Sequence, residues 1–387
     1  MPAVEYFHPC KQQIADSYTE YNIVGYIFLE LLDATNAAPV AEDKTLYIEA
    51  ALDQLFLNYD WTTSFTKPQL IIYDELLPSE ILIVIHKWLR KKSADIENIT
   101  LAVTHHTGVT TWWMKWCETF NEKSFNVIDV LSSNAVPAYW VTWPKVKKLS
   151  KLELIKQKQF STLFNFYGGK LPRRDNQYFL FKILELAEYG IIDYIANVIT
   201  KPNLIAYAES ITYYKNQKEI DELSESYDRY TVNSRLIDLS KGTRPILDKN
   251  TDSSQLMFGL WEIDRLCFCT VIRDPIQSDV YSCFNEKILR AFSTHLTALP
   301  AGVNAVRDLE EMGFWFPHEI IDYSYSSIPD YAKRITALVT SLRECAEKYS
   351  LNDLRDFYIE NFDKYQANAT LVFDLTDAHP LHPEKLK

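Results

Sequence analysis

Along the chain, short apolar runs alternate with amphipathic stretches. Gln69–Tyr73 (QLIIY) is an almost unbroken apolar run, the pattern of a buried strand. Ser79–Lys92 follows with apolar positions at helical spacing. Ser79 is a candidate N-cap, and Arg90, Lys91 and Lys92 complement the dipole at the far end. Asn98–Val103 (NITLAV) and Phe125–Val130 predict two more strands, with an aromatic helix over Thr111–Phe120 between them. Upstream, Thr45–Phe56 has helical spacing, while Asn22–Ala34 fits helix or strand. Strand, loop, helix, strand in this rhythm predicts βαβ units around a parallel sheet.

The rhythm restarts in the second half. Ser161–Phe166 predicts a strand, Gly168-Gly169 a turn before Pro172-Arg173-Arg174, and Asn176–Tyr189 a long helix. Lys215–Ser254 is polar and reads as loops and short helices. Arg265–Ile272 (RLCFCTVI) reads as a fully buried strand. Helices are predicted over Phe284–Phe292, Val303–Met312, Asp330–Tyr349 and Leu351–Tyr365, and the last ten residues look frayed. A Lys-rich stretch from Pro144 to Lys158 separates the halves. It reads either as a solvated linker or, at Lys145, Lys147 and Lys148, as an acceptor or polyanion contact.

Composition narrows this picture. A chain of 387 residues is too long for one ordinary core and predicts two domains. We place an N-terminal domain over 1–150 and a C-terminal domain over 151–350. A helix and tail over 351–387 remain, free to pack back on the first. Only 9 glycines argue against an architecture built on many Gly-rich phosphate loops. The 14% aromatic content is mostly core, although a sugar-binding cleft also uses aromatic rings as apolar platforms. A net charge of −12 disfavours non-specific adhesion to nucleic acid or anionic lipid, yet leaves room for a local basic groove. The 6 cysteines show no metal spacing and several sit in apolar runs, which predicts reduced thiols and a cytoplasmic protein. No signal pattern or membrane-length apolar run is visible, so no membrane contact is expected.

Several reaction templates are missing: there is no GxSxG elbow, Walker loop, GxGxxG or HExxH. What remains is Glu286-Lys287 where a loop enters a helix. A helix start favours negative charge, a lysine there adds a mobile cation for a diphosphate, and a carboxylate can accept two hydrogen bonds from a ribose diol. In the first half, Asp74 and Glu75 follow strand QLIIY, and His105 and His106 follow strand NITLAV. Ligands of open α/β sheets bind beyond the carboxyl ends of strands, so Asp74 and His106 are the candidate general bases. Glu262-Ile263-Asp264 is the nearest imitation of an Asp-x-Asp metal site, and reads better as a polar approach to the following strand.

Two ordered blocks carry a family resemblance. One is Phe164-Asn165-Phe166, Gly169-Lys170-Leu171-Pro172-Arg173 and the helix through Leu184. The other joins Phe284-Asn285-Glu286-Lys287 and Ala291-Phe292 to Leu309–Phe314 and Ile321–Tyr325. Residues 160–340 thereby resemble the C-terminal half of fucosyltransferase-like glycosyltransferases. They are more closely similar to phage and large-virus glycosyltransferase-like proteins. The resemblance implies an α/β fold of GT-B type, with two Rossmann-like domains facing a cleft. It also implies a nucleotide-sugar donor, no metal and no further cofactor. By position, Arg173, Asn285, Glu286 and Lys287 would bind the donor, with Glu286 on the ribose and Lys287 and Arg173 on the diphosphate. The implied acceptor is a glycan or small hydroxyl compound, or a hydroxymethylated base in double-stranded DNA, the protein then working in a host cytoplasm. Departures from the pattern, at Asn285, Arg273-Asp274 and Leu296-Thr297-Ala298-Leu299, leave open a non-catalytic member that keeps the fold.

Overall fold

The computed structural model describes residues 21–27, 41–61, 67–73, 79–104, 106–130, 149–170, 179, 182–195, 221, 225, 264–273, 281–283 and 286–377. The chain divides into two compact units. The first holds Met1–Asn134, Val280–Phe284 and His379–Lys387; the second holds Ala135–Asp279 and Asn285–Ala378.

The first unit is built on a parallel sheet of β1 (Asn22–Ile27), β2 (Gln69–Tyr73), β3 (Ile99–Thr104) and β5 (Asn126–Val130), ordered as they occur in the chain. The segment Asn22–Ala34, open to two readings, begins as strand. Helices α1 (Ala41–Leu55), α2 (Ser79–Lys91) and α3 (Val109–Phe120) connect these strands. Just past α1, Trp61 lies edge-on to both Phe56 and Trp88 of α2, and Trp88 Nε1 donates to Asp53 Oδ1 at 2.7 Å. On its other side α2 meets α3: His86 lies edge-on to Trp113, which stacks on Trp116 and Phe125. A two-residue strand, β4 (His106–Thr107), pairs antiparallel with β9 (Ser282–Cys283) inside the first unit, and Trp112 packs edge-on against Tyr281.

The second unit carries β6 (Thr162–Lys170), β7 (Gly190–Ile195), β8 (Cys267–Ile272) and β10 (Thr297–Pro300), all parallel in the order β10-β8-β6-β7. Every residue of β8 is buried, as its apolar run predicts. Two strands were hidden in the sequence. β7 occupies the segment after the helix predicted to reach Tyr189, which gives way to turns at Glu185. β10 occupies the stretch read only as a departure from the family pattern. Gly190 is required by packing, since a Cβ there would lie 2.3 Å from the ring of Phe164, its partner across the ladder. Helix α4 (Lys151–Gln157) opens with a capping box in which Ser150 and Glu153 cap each other. Helices α5 (Glu286–Ser293), α6 (Ala305–Glu311), α7 (Tyr331–Lys348), α8 (Leu351–Glu360) and α9 (Phe362–Asp377) complete the unit. The single helix predicted over Leu351–Tyr365 is two, broken at Asn361. Both pack in the second unit, α8 on β8 and α9 on α5.

Scarce glycine shows in how helices end. Four helices close with paired hydrogen bonds around a left-handed residue, the Schellman arrangement. In α6 that residue is Gly313, with Phe314 N–H donating to Leu309 O at 3.0 Å. In α2, α3 and α5 it is Ser93, Asn121 and His295, with φ of 56°, 50° and 55°. Side chains there pay a local steric penalty that glycine avoids. Ser93→Gly is therefore expected to stabilise the protein by about 1 kcal/mol, read from denaturant midpoints. Gly190→Ala is expected to destabilise it by roughly 1–3 kcal/mol through overpacking against Phe164.

Candidate functional site

In the second unit the chain leaves β6 first toward β7, then returns to the other side for β8 and β10. That reversal is a topological switch point between β6 and β8, and ligands of doubly wound sheets bind at the carboxyl ends of the strands flanking it. Among the described strands of the first unit, order follows sequence and no such reversal occurs. Among the described strands, the switch point is therefore in the second unit.

At the carboxyl end of β6 the register with β7 shifts between Tyr167 and Lys170. Gly168-Gly169, predicted as a turn, lies within this irregularity. β8 ends at Ile272, and half-buried Arg273 follows it directly. The sequence reading treated Arg273 only as a departure, but strand order makes it a cation at the switch point. Helix α5 carries the chain from β8 to β10. Its last turn leads within a few residues into the amino end of β10, so its start, Glu286, is at the carboxyl-end pole. Glu286 is the first helical residue, and Lys287 in the same turn is half-buried.

The resemblance blocks further along are framework. Phe314, next to the left-handed Gly313, stacks on Phe292 of α5 at 4.3 Å. Asp322 accepts from Ser324 N and Ser324 Oγ, both at 2.9 Å, while Tyr323 and Tyr325 are buried. Ser326 O accepts from Asn304 N at 2.6 Å. Buried Arg334 donates through Nε to Ala301 O at 2.9 Å and through Nη1 to Ile328 O and Pro329 O. Together they brace the turn after β10, beside the crevice.

At the opposite pole lies a buried ionic cluster. Asp264, in the turn before β8, accepts from Asn165 Nδ2 at 2.9 Å through Oδ1, and its main-chain oxygen accepts from Lys158 Nζ at 3.2 Å. Arg290 Nε of α5 approaches Asp264 Oδ2 at 3.6 Å, with the two side chains 3% and 0% exposed. The reading of Asp264 as a polar approach to the strand thus understates it. Lys158, the end of the stretch read as solvated linker or polyanion contact, is wholly buried. Desolvation pushes its pKa down to about 8 against the pull of Asp264 and Cys267. His295 donates or accepts through Nδ1 with Tyr358 OH at 3.0 Å, and burial, then Lys158, pushes it down to about 3, leaving it neutral.

Of the other predicted residues, His106 sits in the β4–β9 ladder opposite Cys283, so its backbone is held in a strand and not in an open loop. Asp74, Lys145, Lys147, Lys148, Arg173 and Asn285 lie outside the described residues. Cys117, Cys267, Cys269 and Cys345 are free and buried. Among the described residues, no three of His, Cys, Asp or Glu are grouped to hold a metal ion, and no helix is long and apolar enough to cross a membrane. An open hollow of about 400 Å³ beside Glu310, Trp315, His318 and Glu319 follows the end of α6, away from the switch point.

No protein-family model matches the chain, and no curated protein matches its sequence. Solved structures resemble it at low identity. The UDP-forming α,α-trehalose-phosphate synthase of Burkholderia vietnamiensis is 10% identical with a TM-score of 0.38, over 90% of this chain and 80% of that one. The α,α-trehalose 6-phosphate synthase of Burkholderia multivorans is 11% identical with a TM-score of 0.41, over 91% and 79%. A glycosyltransferase of Rickettsia africae is 8% identical with a TM-score of 0.34, over 91% and 99%.

Lys158 makes a pH signature. Its folded pKa of about 8 is below the ordinary 10.5. Between these values the unfolded chain binds more protons, so this residue's contribution makes stability rise with pH, by on the order of 3 kcal/mol across the window. The buried tyrosines and thiols, held above their ordinary pKa by burial, act in the opposite sense. The difference between the wild type and Lys158→Met in urea titrations from pH 7 to 11 isolates the lysine. The wild type should gain on the variant above about pH 8. A constant difference would contradict the burial of this ammonium group.

Proposed function

We propose that this chain is a metal-independent glycosyltransferase of GT-B type, moving a sugar from a nucleoside-diphosphate donor to a hydroxyl acceptor. One observation carries the reading: the switch-point crevice of the second unit has Glu286 and Lys287 in the opening turn of α5 and Arg273 at the end of β8. A departing diphosphate needs its developing negative charge stabilised, and fixed cations with helix-start amides supply this in a site of low dielectric. In this reading Lys287 and Arg173 hold the diphosphate, with Arg273 a further cation beside it. Glu286 accepts from the ribose hydroxyls, and Asn285 completes the donor contact. Asp74 and His106 are the proposed bases for the acceptor hydroxyl.

The acceptor proposed is a glycan or small hydroxyl compound. A DNA acceptor rests on the phage-like resemblance and the lysine run from Lys145 to Lys158, whose Lys145, Lys147 and Lys148 lie outside the described residues. Salt-sensitive binding of duplex DNA by the intact protein would be needed to revive it.

The test is a thermal-shift panel of UDP, GDP, ADP and TDP. A ligand at a hundredfold excess over its Kd stabilises the folded state by about 2.7 kcal/mol. At least one nucleotide is expected to raise the melting temperature. Lys287→Ala should weaken that nucleotide by roughly 10- to 100-fold, as expected for the loss of one charge-assisted hydrogen bond. Glu286→Ala should weaken the nucleotide while sparing inorganic diphosphate. Donor binding without release of nucleoside diphosphate with any acceptor would favour a non-catalytic scaffold. No shift with any nucleotide would remove the proposal.

A further inference from the structure

Helix α5 is two turns long and carries the first-turn residues on which the proposed donor site depends. It packs on α9, β10 and β8 with Ile288, Ala291 and Phe292 buried, and apolar contacts of this kind tolerate small rotations. Arg290, in its last turn, adds a charged contact to a partner outside the helix. Its guanidinium meets the Asp264 carboxylate at 3.6 Å with both side chains excluded from solvent. That carboxylate is itself held: Asn165 of β6 donates to its other oxygen at 2.9 Å, and Lys158 donates to the Asp264 main chain at 3.2 Å. The aspartate is thus tied to the foot of β6 and to the turn entering β8, and cannot follow the helix if it turns. Lys287 precedes Arg290 by three residues, which places it one turn nearer the crevice and about 60° away around the axis.

From this geometry we infer that Arg290 is a positioning residue for Lys287. The buried Arg290–Asp264 pair sets the rotation of α5, and through it the direction in which the Lys287 ammonium meets the donor diphosphate. Arg290 itself touches no substrate; it lies at the amino end of the sheet, beside Asp264. The inference rests on the proposed donor site and adds to it the residue that aims its cation.

Removing one member of a buried pair strands the other charge, so Arg290→Met alone risks the fold. The double change Arg290→Met with Asp264→Asn removes both charges and retains an oxygen for Asn165. Arg290→Lys keeps a cation. Binding of UDP, or of whichever nucleotide the thermal-shift panel selects, is titrated well below each variant's melting temperature. The charge-free pair should weaken binding by about tenfold when Lys287 is present and should add nothing when Lys287 is already alanine. Arg290→Lys should restore most of the loss. Equal losses in both backgrounds, or no loss in either, would overturn the inference, because a merely structural pair acts independently of Lys287.

Should the wild type bind no nucleoside diphosphate, the functional reading fails on its own. Hydrogen exchange then decides the positioning. The amides of Arg290–Ser293 bond back to the carbonyls of Glu286–Leu289. The charge-free pair should speed their exchange at least about tenfold while leaving β8 protected. Unchanged exchange there would show that the pair does not hold the helix.

Discussion

The second unit is organised around a carboxylate that has no access to water. Asp264 lies under the sheet, bound by Asn165 of β6, Lys158 before β6 and Arg290 of α5. Ionised groups so deeply buried rarely add much net stability, since desolvation offsets most of their attraction. Their effect is on uniqueness. Any packing of α5 that separates Arg290 from Asp264 gives up this buried pairing, and breaking a buried ion pair costs about 3–5 kcal/mol. Apolar contacts alone, such as the Phe292–Phe314 stack, would tolerate a small rotation or slide far better.

That constraint divides the unit into two poles. At the amino ends of the strands, polar groups are spent on fixing the scaffold: Thr297 with Tyr365, His295 with Tyr358, and the ionic cluster. At the carboxyl ends, buried Arg334 and Ser326 hold the turn after β10 through main-chain carbonyls and amides. The resemblance blocks Leu309–Phe314 and Ile321–Tyr325 fall in the scaffold. The likeness they carry is one of packing, while the proposed donor chemistry rests on Glu286, Lys287 and Arg273.

The first unit is organised by aromatic packing. Trp88, Trp113 and His86 lock α2 between α1 and α3, each with a main-chain or carboxylate partner for its polar atom. It also carries a separate two-stranded ladder, in which Ser282–Cys283 of the later chain pair with β4 just after β3. This puts His106 into a ladder whose partner is almost 180 residues distant in sequence, a pairing that local pattern has no means to announce.

Local periodicity determined much by itself. The apolar runs QLIIY, NITLAV and CFCTVI, and the helical spacing of Ser79–Lys91 and Tyr331–Lys348, specify elements because burial of one face or of a whole strand is written into neighbouring residues. The helix start at Glu286-Lys287 was legible for the same reason. Tertiary structure alone decided the rest. β10, only TALP, and β7, opening on a glycine, are too short or too ambiguous to stand out, and become strands because β8 and β6 offer them unpaired edges. Lys158, Asp264 and Arg290 look like ordinary surface charges in the sequence, 106 and 26 residues apart, and only the folded sheet brings them together. Charge carries no periodicity, so whether an ion pair is buried is a property of the three-dimensional packing and not of the string of residues.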